Sequence, residues 1–122
     1  MGEVEKVINN IKKHAKAKKW KVDVNKKEFV VVSKIYNVPH SIDPVTMSFG
    51  FGVWEKIPFS RKFNLTFSGG YSYESDVYQT EYPVIRKQNY SIENVKEFER
   101  KAKKALNNML SKVKNKIGTE TY

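Results

Sequence analysis

Residues 47–68 read MSFGFGVWEKIPFSRKFNLTFS. Met47, Phe49, Phe51 and Val53 fall on one side of an extended chain and Ser48, Gly50, Gly52 and Trp54 on the other, because successive strand side chains point to opposite faces. After a break at Lys56-Ile57-Pro58, Phe63, Leu65 and Phe67 alternate in the same way with Asn64, Thr66 and Ser68. The pattern predicts an antiparallel hairpin with one apolar face and one face of small or mildly polar residues. Gly69-Gly70 is read as its end. An apolar sheet face has to be covered, and the cover is sought at the two ends of the chain.

The C-terminal end supplies it most clearly. Ile92, Val95, Phe98, Ala102, Ala105, Leu106, Met109, Leu110, Val113 and Ile117 keep a 3.6-residue period, which predicts a long amphipathic helix. Ser91 suits its N-cap, Glu93 its first turn, and Gly118 its stop. Residues 3–18 give a shorter helix, with Val4, Val7, Ile8, Ile11 and Ala15 as the apolar stripe. Glu3 and Glu5 in its first turn and lysines in its last match the helix dipole. Lys18 would fall on the apolar face, so that helix is expected to end there.

Between the helix and the central hairpin, Trp20, Val22 and Val24 alternate with Lys21 and Asp23. Asn25-Lys26-Lys27 makes a turn, and Glu28 to Ile35 is rich in β-branched and aromatic residues, which predicts another hairpin. Residues 37–44, with Pro39 and Pro44, are expected to form a loop. Tyr71 to Val84 is expected to add one further strand, an edge closed by Pro83. The expected fold class is therefore α+β: an N-terminal helix, an antiparallel sheet of four to five strands (two hairpins or a meander), and a long C-terminal helix packed on one face of the sheet. A chain of 122 residues is expected to form a single domain over residues 1–118 with a frayed tail at 119–122.

Composition narrows the chemistry. With 39% hydrophobic and 13% aromatic residues, folding is expected over disorder. There is no cysteine, so disulfides, thiolate metal sites and cysteine nucleophiles are excluded. With only two histidines besides, no structural metal site and no cofactor are expected. His40 and Asp43 share the proline-rich segment and could orient a base, but no nucleophile is placed beside them, and His14 borders the first helix. No catalytic residue is assigned and a non-enzyme is expected. The opening residues lack the apolar run of a secretory signal, Lys6 stands where a myristoylation motif has Ser or Thr, and no run reaches about 18 apolar residues. A cytoplasmic protein with no membrane span is the expectation.

The net charge is +10, and its distribution is uneven. Residues 1–27 carry +6 and residues 86–117 carry +7, whereas 28–85 carry −2 and the last five residues −1. The positive charge therefore belongs mainly to the helical ends. Lys96, Arg100, Lys103 and Lys114 form a stripe beside Asn107 on the last helix. On the first, Lys6, Lys13 and Lys16 lie away from the apolar face, and Lys12, Lys18 and Lys19 cluster at its end. Such faces suit phosphate backbones, since each neutralised phosphate releases counterions. Lysine outnumbers arginine 20 to 3, which argues against sequence-specific reading, because arginine is the residue of bidentate recognition. The competing reading is a lysine-coated, solvated surface.

Two further surfaces are candidates. Trp54, Tyr71, Tyr73, Tyr78 and Tyr82 could anchor a protein partner or a homo-oligomer, and Glu74, Asp76 and Glu81 among the tyrosines disfavour phosphate there. Gly50 and Gly52 at alternate positions mark sheet curvature or close approach by another backbone. A curved sheet under a long C-terminal helix is similar, in architecture alone, to helix-grip folds, which implies an apolar small-ligand binder as a third class. The sequence ranks nucleic-acid or other polyanion binding through the basic helix faces first.

Overall fold

In the computed structural model, which describes residues 2–38, 44–55, 63–73 and 82–120, two helices cover one face of a five-stranded sheet. The chain forms α1 (Gly2–Ala17), β1 (Lys21–Asn25), β2 (Phe29–Asn37), β3 (Pro44–Glu55), β4 (Phe63–Tyr73), β5 (Tyr82–Ser91), a 3-10 turn (Ile92–Asn94) and α2 (Val95–Glu120). The strands pair antiparallel in the order β1-β2-β3-β4-β5, which is a meander.

Alternation sets which side chains meet the helices. Cross-strand partners share a face, so the rows Val30–Phe51–Phe67 and Val32–Phe49–Gly69 lie under the helix layer. All but the glycine are buried hydrophobics of the core. From above they are covered by Val4, Val7, Ile8, Ile11 and Ala15 of α1 and by Val95, Phe98, Ala102, Leu106, Met109, Val113 and Ile117 of α2. Phe67 stacks on Phe49 at 5.8 Å and on Tyr90 at 5.9 Å, with Phe98 closing the group from α2. A Cβ on Gly69 would lie 2.9 Å from Sδ of Met109, so the missing side chain lets α2 settle close to β4.

That role corrects the reading of Gly69-Gly70 as a strand end. β4 continues through both glycines to Tyr73, with register shifts against β5 at this point. Glycine here serves a bulge and close helix packing, which look like a stop in sequence. Tyr71 to Val84 is therefore not one strand: residues 71–73 finish β4, and β5 begins at Tyr82. Pro83 lies near the start of β5, at a sheet edge where a missing N–H is tolerated. Of the expected loop at 37–44, Asn37 ends β2 and Pro44 opens β3, and residues 39–43, with His40 and Asp43, lie outside the described residues.

The helix ends also differ from expectation. Ser91 has the extended backbone of an N-cap, yet its side chain makes no capping hydrogen bond and a 3-10 turn precedes α2. α2 runs past Gly118 to Glu120. α1 stops where the lysine on its apolar face required. Trp20 N–H donates to the Ala15 carbonyl at 3.0 Å and Lys19 N–H to the Lys16 carbonyl at 3.0 Å, with Lys19 at φ 70°. This is the Schellman stop, with Trp20 and Ala15 both buried in the core.

Candidate functional site

The helices lie side by side over the shared core, and a polar contact joins them: His14 Nε2 lies 2.7 Å from Asn107 Oδ1. An ion pair of 3.2 Å between Lys27 and Glu5 ties the start of α1 to the β1–β2 turn, and α2 follows Ser91, which pairs with Asn64 at the same end of the sheet. The two helices thus run in the same direction. Their basic halves lie together: residues 6–22 and residues 100–117 contain no Asp or Glu.

Within this layer the expected phosphate-binding residues differ in how free they are. Lys13, Lys16, Lys18 and Lys19 are exposed at and near the end of α1, and Lys96 and Lys114 are exposed on α2. Lys12 is half-buried and donates to Asn25 Oδ1 at 3.3 Å. Arg100 is engaged by Glu97 through two hydrogen bonds of 2.9 and 3.3 Å, and this contact holds the Glu97 carboxyl below the ordinary carboxylate range. Lys103 is half-buried and pairs with Glu99 at 3.0 Å. The stripe therefore holds two cations already matched by acids one helical turn away, which sequence spacing of i, i+3 and i, i+4 also foretells. Arg86 and Lys87, counted by sequence with the helical charge, sit instead on β5.

Lys34 and Tyr36 were missed as candidates. Both point to the helix side of β2, opposite Met47 and Val45. Lys34 Nζ donates to the Lys18 carbonyl at 3.0 Å and lies 6.0 Å from the Trp20 ring centroid. Lys114 Nζ lies 5.2 Å from the centre of the Tyr36 ring. The signal was present in the alternation Val30, Val32, Lys34, which puts a lysine on an apolar face.

The other sheet face carries no helix among the described residues. Among the described residues its floor is built from small side chains: Ser33 and Ser48 are cross-strand partners, as are Thr46 and Ser72, and Gly50 and Ser68. An open trough of about 730 Å³ lies over them, with Phe29 and Val31 on one wall and Lys87 on the other. Trp54 is on this face, as its alternation predicts, and is 53% exposed with Lys87 Nζ 4.4 Å from its ring. Ile35 shares the face at 65% exposure. Tyr71, grouped with Trp54 by sequence, instead packs in the core opposite Met47 at 2% exposure. One strand position separates the two faces, so an odd offset from Trp54's partner Asn64 sends Tyr71 inward. Tyr73 and Tyr82 belong to β4 and β5 by backbone, their side chains fall outside the described set, and Tyr78 lies outside the described residues.

Among the described residues, no group of three or more His, Asp or Glu side chains could hold a metal ion, and no helix is long and apolar enough to cross a membrane. No protein family matches the chain, and neither does any curated protein or solved structure.

Proposed function

We propose that the chain binds nucleic acid, or a closely similar polyanion, across the paired surface of α1 and α2, without strong sequence preference and without catalysis. The observation that carries this reading is the His14–Asn107 contact, because it brings two acid-free lysine segments onto one face. Clustered cations raise the local concentration of a polyanion, and binding gains from counterion release. Exposed Asn107 and Asn108 between the lysines add neutral donors that can reach phosphate oxygens. A cytoplasmic location goes with this reading.

The test is a gel-shift series on single- and double-stranded DNA and RNA at low and moderate salt, with the wild type beside a Lys96→Gln, Lys114→Gln variant. Binding at low salt that weakens in the variant supports the proposal. A wild type without affinity for any of the four at low salt leaves the lysines as a solvated coat.

A second reading rests on a different observation. Trp54 and Ile35, both large and exposed, lie on the same sheet face, which no described helix covers, and this fits a protein partner or a second copy of the chain. The hydroxyl-lined floor of the trough is less suited to a purely apolar small ligand.

A further inference from the structure

α1 ends at Ala17, shortly after the His14–Asn107 contact, whereas α2 continues from Asn107 to Glu120, roughly 20 Å further at 1.5 Å per residue. The step between the shorter and the longer helix leaves a recess of about 150 Å³ lined by Lys18, Trp20, Lys34, Leu106, Asn107 and Leu110. Its floor is β2, where Lys34 lies over Trp20, and next along that face is Tyr36 with Lys114 beside its ring. Lys18 and Lys34 therefore line the notch from the end of α1 and from β2, and Lys114 lies next along the same face, beside Tyr36. No acid lies within three residues of any of them along the chain.

We propose that this notch seats one backbone phosphate of a bound nucleic acid and so fixes the strand's register across the helix layer. This rests on the polyanion reading above and sharpens it from a diffuse charged face to a particular subsite. A recess this small is well below the roughly 300–1,000 Å³ of a site for a whole small-molecule ligand. It suits a tetrahedral anion that can accept from several donors. The lining residues with donors to offer are Lys18, Lys34, which keeps protons beyond its bond to the Lys18 carbonyl, and Asn107, with Lys114 as a further charge along the face beside Tyr36. The rim is apolar, with Leu106, Leu110 and Trp20, which lowers the local dielectric and strengthens a charge-assisted hydrogen bond.

The recess carries its own reporter. The chain has two tryptophans, so Trp54→Phe leaves Trp20, in the notch lining, as the sole one. In that background, a dT12 oligonucleotide is titrated at low salt while Trp20 emission and the anisotropy of a labelled strand are followed together. The expected result is a Trp20 shift that tracks the anisotropy. Lys18→Gln with Lys114→Gln is expected to weaken binding about tenfold and lower the salt slope by roughly 0.7 per lost contact on a single strand. Lys101→Gln with Lys112→Gln removes the same charge roughly 120–140° around α2 from Asn107, at about 100° per residue. That pair is expected to cost no more than about threefold. Lys34 is left intact because its bond to the Lys18 carbonyl also closes α1. Binding without a Trp20 response, or equal losses from the two lysine pairs, overturns the notch while leaving diffuse binding in place. Absence of wild-type binding overturns the polyanion reading itself.

Discussion

Gly52 stands against the backbone of Glu28: Val53 N–H donates to the Glu28 carbonyl at 2.7 Å, and a Cβ on Gly52 would lie 2.7 Å from Cα of Phe29. With φ of 154°, Gly52 also has a backbone conformation that side chains disfavour. Gly50, two residues earlier on the same face, has only ordinary contacts at 3.7 Å with Phe29 and Val31. Gly52→Ala should therefore cost about 1–3 kcal/mol or more, and Gly50→Ala close to nothing. Urea unfolding of the two variants separates them. Equal effects would show that curvature, and not close approach, explains both glycines.

The stop of α1 is chemically imperfect. Lys19 occupies the left-handed position of the Schellman turn, where an L-residue is strained by about 1–2 kcal/mol and glycine is not. Lys19→Gly is expected to raise stability by about 1 kcal/mol in thermal or urea unfolding, with a small loss in polyanion affinity from the missing charge. A destabilised variant would mean that the Lys19 side chain contributes contacts outweighing its backbone strain.

How much of this was legible in the sequence depends on the residue. The apolar stripe from Val95 to Ile117 and the alternation from Met47 to Trp54 specify helix, strand and facing direction, because each repeats one period over many residues. Gly69-Gly70 was misread because a bulge and a turn use the same residue type, and only Met109 above β4 tells them apart. Tyr71 was misplaced because Gly69-Gly70 was taken as the strand end, although the parity from Phe67 runs unbroken through both glycines and puts Tyr71 inward. On the candidate site, the basic faces of both helices were readable. Their shared direction and the His14–Asn107 seam join residues 93 positions apart, which no local pattern encodes.

Tyr90 ties stability to high pH. Burial raises its phenol above the ordinary value of 10.0, and the charge of Glu97 adds to this while Arg100 opposes it. The folded state therefore favours the neutral phenol. This contribution is complete below about pH 10 and is lost as pH rises through the higher folded value. Melting curves from pH 9 upward should show a steeper decline for the wild type than for Tyr90→Phe. Parallel declines would mean that Tyr90 ionises as freely in the folded chain as in the unfolded one.

Trp54→Ala tests the sheet face opposite the helices. The ring is 53% exposed and has the Lys87 ammonium against it, so the variant should lose less than about 1 kcal/mol of stability. If the face is an interface, the same change should weaken association by about 2 kcal/mol or more, read by sedimentation over a concentration series. Unchanged sedimentation would remove the interface reading. A large drop in melting temperature would show that Trp54 is covered within the chain.

The most direct measurement of the helix layer's role is the salt dependence of binding to a labelled 12-nucleotide strand and to its duplex, followed by anisotropy from low to moderate ionic strength. Log affinity should fall linearly with log salt, with a slope of about −0.9 per phosphate neutralised on duplex and about −0.7 on a single strand. Lys96→Gln with Lys114→Gln should flatten that slope more than Arg100→Gln with Lys103→Gln, whose cations are already paired with Glu97 and Glu99. A flat dependence, or no binding at the lowest salt, would contradict nucleic-acid binding by these helices.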